Sequence, residues 1–266
     1  MATQAARFVG SIPENYDAGL GPHIFNDYAN DLARRVSDLG PQSVLELAAG
    51  TGIVTRKLRD ALADGCDLVA TDLNQPMLEV AKAKFDAGEP VRFEAVDATD
   101  LTFAPDSFDL VVCQFGVMFF PDKPRSYAEA QRVLKSGGHY VFNVWDSWEV
   151  NPFAQITHQA VEALFPDDPP GFYKVPFGYH DADEIKGALL AAGFDRVEVE
   201  RVPLVSSIPV AADFAKGLVF GNPLFEEVIN RGGDPQQVCE QVAAALEAQL
   251  GAEMGLQAVV FEASKD

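Results

Sequence analysis

Residues 43–47 are a short apolar run, and Ala48-Ala49-Gly50-Thr51-Gly52 follows it with nothing larger than threonine. Beyond the turn, Val54, Leu58 and Leu62 recur at helical spacing, with Arg56, Lys57 and Arg59 off that face. A strand that enters a tight turn of small residues and leaves it as a helix is the starting unit of an α/β sheet. Small side chains let a ligand approach the backbone closely, and the first turn of the helix offers free N–H groups to an anion. Taken alone, the same run also describes a tight connection that binds nothing.

The unit repeats along the chain. Residues 67–72 read as a buried strand, and Asn74-Gln75-Pro76 opens a helix, with Asn74 as N-cap and Pro76 tolerated in the first turn. Strands are expected at 91–96, 108–113 and 140–144, and a helix over 126–134 that stops at Gly137-Gly138. Alternating strands and helices over about 100 residues predict a mostly parallel sheet covered on both faces. Upstream, Phe25, Tyr28, Ala29, Leu32, Val36 and Leu39 predict one helix, stopped by Gly40-Pro41. Downstream, Asp181 starts a helix with Glu184 three residues on, and Gly193 closes it. Residues 197–202 and 256–262 are strand-like. Helical stretches are expected between them at 210–220, 224–231 and 234–250, and 165–176 reads as an aromatic, Pro-rich loop.

The chain has 266 residues, a length that suits one elaborated α/β domain. Forty acidic side chains against twenty basic give a formal charge of −20, a surface that repels phosphate backbones and anionic lipid. Nucleic acid is therefore not an expected partner. No apolar run is long enough to span a bilayer, so integral membrane association is not expected either. Residues 1–10 lack the apolar stretch of a secretory signal. Cys66, Cys113 and Cys239 are odd in number and far apart, and the four histidines are scattered, so neither a disulfide framework nor a metal site is expected. A reduced, cytoplasmic protein is the expectation.

Three carboxylates fall at the ends of consecutive expected strands: Glu46, Asp72 and Asp97. That is the sheet edge where open α/β folds bind ligands. Asp72 stands 20 residues beyond Gly52, where a carboxylate can accept hydrogen bonds from a ribose diol. Ordinary loop aspartates or helix caps could occupy the same positions. The dinucleotide fingerprint G-x-G-x-x-G is missing, because position 48 is Ala and Ile53 follows Gly50 by three. Glu46 just ahead of the turn would also oppose a pyrophosphate and favour an ammonium or sulfonium.

With these residues in place, Glu46-Leu47-Ala48-Ala49-Gly50-Thr51-Gly52 resembles the first motif of class I S-adenosylmethionine-dependent methyltransferases, with Ala48 in place of its first glycine. Asp72-Leu73-Asn74-Gln75-Pro76-Met77-Leu78 resembles the second-strand motif, Asp97-Ala98 the adenine-binding pair, and the run from Phe108 to Gly116 the fourth-strand motif. Arg132-Val133-Leu134-Lys135-Ser136-Gly137-Gly138 is similar to the usual lead into the fifth strand. The five motifs stand in order over residues 44–144. The rest of the chain resembles the small-molecule branch, similar to ubiquinone-biosynthesis methyltransferases, but less specifically.

The resemblance implies a doubly wound, mostly parallel seven-stranded sheet with the last strand antiparallel, pairing 197–202 with 256–262. It implies one methyltransferase domain over 1–266: a helical segment at 1–40 over the cofactor, a cofactor-binding core at 41–145, and cap or substrate-side insertions at 146–180 and 204–255. It implies S-adenosylmethionine as cofactor. Asp72 would hold the ribose hydroxyls, Asp97 would accept from the adenine amino group, and the Ala98 N–H would face the ring. Leu73, Met77 and Phe115 would sandwich or edge the adenine. Gly50, Thr51 and Gly52 would form the turn past which the methionine part runs, with Ala48 raising a question about close approach. Gln114 would sit near the sulfonium. Tyr16 belongs to a segment that related enzymes fold over the cofactor, and it reads equally well as an anchor for a loose N-terminus.

Aromatic residues at 118–120, 145–148, 153, 172–173 and 177–180 describe either an apolar pocket for a small-molecule substrate or core packing beneath a cap. The insertion at 206–255 could cap that pocket or form a homodimer contact. For acid–base work the candidates are His23, His180, Tyr16 and Tyr179, and none has a partner by spacing. No catalytic base is assigned, since a sulfonium is already a good leaving group and alignment in a dry site supplies much of the rate. The expectation is methyl transfer to O, N or C of a small apolar or aromatic metabolite. An NAD-type oxidoreductase and a non-catalytic cofactor-binding module are the alternatives.

Overall fold

The computed structural model describes residues 6–208 and 210–266. Seven strands form one sheet: β1 Ser43–Glu46, β2 Asp67–Asp72, β3 Val91–Ala95, β4 Phe108–Gln114, β5 Leu134–Trp145, β6 Arg196–Ser207 and β7 Glu253–Lys265. Their order is β3-β2-β1-β4-β5-β7-β6, and β7 runs antiparallel to both of its neighbours. The expected doubly wound sheet with its closing hairpin is the one observed. Central strands β1, β2 and β4 are almost wholly buried, as an apolar run covered on both faces must be. The edges carry charge instead: Arg92 and Glu94 on β3, and Arg196, Glu198 and Glu200 on β6.

Helices cover the two faces. On one face, α2 (Asn26–Asp38) and α3 (Ile53–Ala61) bury Leu32, Val36, Val54 and Leu58 against Val44, Leu68, Leu110 and Val112. Each such side chain contributes about 1.5–3 kcal/mol on burial. On the other face, α5 (Lys123–Val133) and α7 (Ala182–Ala191) set Tyr127, Ala130, Ile185 and Leu189 over Tyr140, Phe142 and Phe261. The remaining helices are α1 (Ile12–Gly19), α4 (Gln75–Lys82), α6 (Pro152–Leu164), α8 (Ala211–Phe220), α9 (Leu224–Asn230) and α10 (Pro235–Gln249). None of the described helices is long and apolar enough to cross a membrane. The three cysteines are buried free thiols, and no cluster of metal-ligating side chains occurs among the described residues.

Several local expectations need correction. The N-terminal helix is not continuous: α1 and a π-helical turn over Gly21–Phe25 precede α2. Asn74 does not cap α4 with its side chain, which instead accepts from the Phe8 N–H at 3.3 Å and donates to the Ala6 carbonyl at 3.1 Å. The true cap of α5 is Asp122, whose carboxylate accepts from the Arg125 N–H, and Gly137-Gly138 lie within β5 rather than ahead of it. Gly137 takes φ +79° there, alongside a shift of register against β4. The helix α6 was not expected at all. The leader reading of residues 1–10 rests partly on residues 1–5, which lie outside the described residues.

Candidate functional site

The strand order reverses between β1 and β4, and a crevice opens at their carboxyl ends. It is a cleft of about 860 Å³, counting space open to solvent. Asp72, at the end of β2, lies on it, 6% exposed. One carboxylate oxygen accepts from the Gly50 N–H at 2.9 Å, and the other from the Asn74 N–H at 2.7 Å. Burial raises its pKa, and these N–H groups oppose the rise. Asp97 lies on the same cleft. One of its oxygens accepts from the N–H and hydroxyl of Thr99 at 2.8 and 2.7 Å, and the other makes no hydrogen bond to a described residue. Leu73 exposes 44% of its surface at the cleft, where a flat ring could cover it.

Ten of the thirteen residues proposed from the sequence line this cleft: Tyr16, Ala48, Gly50, Asp72, Leu73, Met77, Asp97, Ala98, Gln114 and Phe115. Three do not. Glu46 is 1% exposed, and its Oε2 has no hydrogen-bond partner among the described residues. Burial pushes its pKa to about 8, so near neutral pH it is largely a neutral acid. The Thr51 hydroxyl donates to Asp17 at 2.6 Å. Gly52 is a packing glycine: at φ +79° an added Cβ would stand 2.8 Å from Cβ of Ala81.

Ala48 has a left-handed backbone, at φ +51°, a conformation that favours glycine. The space for its methyl group comes from Gly116, where a Cβ would approach Ala48 Cβ to 2.5 Å and Cys113 Sγ to 2.7 Å. Phe115 is also left-handed, at φ +50°. Its N–H donates to Asn143 Oδ1 at 3.0 Å, and its ring stacks on Trp145 at 3.9 Å between centroids. Gln114 donates from Nε2 to the Phe25 carbonyl at 3.3 Å, and its buried Oε1 has no hydrogen-bond partner among the described residues.

Sequence reasoning expected an N-terminal segment over the cofactor and named Tyr16 in it, but missed two residues that bring that segment onto the cleft. Ala6 and Phe8 line it and are tied to Asn74. Asp17 holds α1 down by accepting from Thr51 and from Lys84 Nζ. Next to the cleft lies a second cavity of about 470 Å³. Ten of the sixteen residues around it are aromatic, among them Trp145, Phe153, Tyr173 and Phe177. Phe8, Tyr16, Phe115 and Phe119 line both spaces. Tyr16 stacks on Phe25 at 4.9 Å, and burial, then Asp72 and Asp17, keep its phenol protonated. His23, His180 and Tyr179 line neither space. They bond instead to the Ser207 carbonyl, the Phe177 carbonyl and the Tyr127 hydroxyl.

These features fit S-adenosylmethionine. A clamped carboxylate beside Gly50 suits a ribose diol, the free oxygen of Asp97 suits an adenine amino group, and the orphaned Gln114 Oε1 suits an ammonium.

Residues 45–142 match the family model described as a methyltransferase domain. A demethylmenaquinone methyltransferase of Clavibacter sepedonicus is 39% identical over 108 residues, 41% of this chain and 43% of that protein. The corresponding protein of Thermus thermophilus is 39% identical over 113 residues, 41% of this chain and 51% of its own. The chain thus spans about half the length of the curated relatives it matches. Among solved structures, the YcgJ protein of Bacillus subtilis superposes with a TM-score of 0.59 at 19% identity, covering 90% of this chain and 99% of its own. A phosphoethanolamine N-methyltransferase 2 of Haemonchus contortus, in complex with S-adenosyl-L-methionine, gives 0.59 at 17%, covering 96% and 57%. At these identities the two structures share the fold.

Proposed function

The chain carries a class I S-adenosylmethionine-dependent methyltransferase domain over residues 45–142, and from that premise we propose that the whole protein methylates a small, flat, apolar acceptor. The observation that carries this reading is the joining of the cleft that holds Asp72 and Asp97 to an aromatic cavity through Phe8, Tyr16, Phe115 and Phe119. The aromatic lining favours a ring, and the relatives named for demethylmenaquinone point to an acceptor of the quinone kind.

When bound, S-adenosylmethionine supplies an electrophilic methyl group on a sulfonium. The chain supplies the rest. Asp72 and Asp97 fix the nucleoside end, and Gly50 lets the backbone close on it. Phe115, held in its strained conformation by Asn143, forms a wall between donor and acceptor. The strap from Ala6 to Asp17 and the rings of the second cavity exclude water, and orientation in a dry site does most of the catalytic work.

The test is mass spectrometry of a cell extract incubated with the protein and methyl-labelled S-adenosylmethionine. One dominant labelled small aromatic product is expected. Label confined to protein or nucleic acid, or no labelled product, contradicts the reading.

A further inference from the structure

The loop between β3 and β4 brings Val96, Asp97 and Ala98 to the cleft. A loop has no ladder of its own, so its backbone groups need partners from elsewhere. Here α5 supplies them. Arg125, Glu129 and Arg132 are spaced i, i+4 and i+7, which sets them on one flank of the helix, while Tyr127, Ala130 and Val133 are buried. Arg125 Nε donates to the Thr99 carbonyl at 2.6 Å, and Glu129 Oε2 accepts from the Leu101 N–H at 2.8 Å. Arg132 donates from Nη2 to the Leu101 carbonyl at 2.9 Å and from Nη1 to the Phe103 carbonyl at 2.8 Å. Glu129 and Arg132 are also joined to each other, at 2.8 and 2.7 Å. That pairing holds the Glu129 carboxyl below the ordinary carboxylate range.

The hold reaches Asp97 through one residue. Thr99, whose carbonyl is taken by Arg125, gives its own N–H and hydroxyl to Asp97 Oδ1 at 2.8 and 2.7 Å. Oδ2 of Asp97 makes no hydrogen bond to a described residue. An ion pair does not account for Arg125. Its contact with Asp100 is 3.4 Å, between side chains 58% and 81% exposed, where such pairs contribute little. The short bond is the one to the loop. Arg125, Glu129 and Arg132 do not line the cleft themselves.

Resting on the methyl-transfer reading above, and on Asp97 as the partner of the adenine amino group, we propose that Arg125, Glu129 and Arg132 are positioning residues for base selection. They fix the loop so that the second oxygen of Asp97 is presented to an exocyclic amino group, and a purine without that group binds less well. On an untethered loop the same carboxylate would have to be ordered when the ligand arrives, and that entropy would be subtracted from the bond it makes. Held in advance by α5, the charge-assisted bond keeps its strength.

Isothermal titration with S-adenosylhomocysteine and with its 6-deamino analogue, which carries hydrogen in place of the adenine amino group, tests this. The parent should bind the amino compound at least about tenfold more tightly. Arg125→Met changes an exposed side chain and should lower that preference below about threefold, with the analogue's affinity staying within about twofold of the parent's. Glu129→Ala should give the same split. Glu129→Gln, whose amide oxygen can still accept from the Leu101 N–H, should keep the preference. Cooperative melting curves establish that each variant is folded. A folded Arg125→Met variant that keeps the tenfold preference overturns the proposal, as does parallel weakening of both compounds or equal binding of both by the parent. Failure of the methyl-transfer reading itself would show separately, as no binding of either compound by the parent, and would remove this proposal with it.

Discussion

Glu46 stores energy that a pH titration should reveal. Its folded pKa of about 8 lies above the ordinary carboxylate value of 4.5. Between those two pH values the unfolded chain has released this proton while the folded chain keeps it, so the residue costs stability increasingly as pH rises and adds nothing further above pH 8. Glu46→Gln removes the penalty with little change of shape. Its unfolding free energy in urea should match the parent near pH 4.5 and exceed it by on the order of 3 kcal/mol at pH 8. A constant difference across that range would show that Glu46 is ionised in the fold. The Ala48–Gly116 contact makes a second residue-scale prediction. Gly116→Ala forces two close overlaps and should cost about 1–3 kcal/mol. Ala48→Gly relieves a left-handed alanine and should unfold within about 1 kcal/mol of the parent. Thermal melts of both variants check the pair.

At the level of elements, the joint between α1 and α8 controls where Tyr16 sits. The two helices cross at glycines: a Cβ on Gly19 would stand 2.6 Å from Gly217 Cα, and one on Gly221 would stand 2.9 Å from Tyr16 N. Gly217→Val should lever α1 away from α8 and loosen the strap while the sheet stays folded. The expected result is a native far-ultraviolet circular dichroism spectrum with cofactor affinity lowered about tenfold in calorimetry. Unchanged affinity would show that the strap does not depend on this crossing. The same level shows what the sequence discloses. Strand β2 was legible residue for residue, because a fully buried run between Cys66 and a polar turn has sharp borders. Asp72 was legible for the same reason, since it closes that strand, whereas Asp97 lies two residues beyond the end of β3 and Glu46 is buried away from the cleft. Helix α6 was not: buried Phe153, Ala154, Ile156, Thr157 and His158 fall almost in succession and leave no clear helical spacing at its start. The start of α5 was obscured by Pro124, which sits in its first turn. The aromatic cavity was legible only as scattered rings, because Phe8, Trp145, Leu218 and Asn222 meet from distant parts of the chain and leave no local pattern.

For the molecule as a whole, a net charge of −20 opposes binding to anionic lipid. Anionic vesicles should not sediment the protein at physiological salt, whereas binding that weakens as salt rises would reveal a basic patch that the composition hides. The proposed function turns on one carboxylate: Asp72 at the end of β2, fixed by the N–H groups of Gly50 and Asn74, is proposed to hold the nucleoside of S-adenosylmethionine. Isothermal titration of S-adenosylmethionine into the parent and into Asp72→Ala tests this directly. The parent should bind with a Kd at or below tens of micromolar, and the variant at least about tenfold more weakly with its melting curve still cooperative. No binding by the parent, or the same affinity in a folded variant, would contradict it.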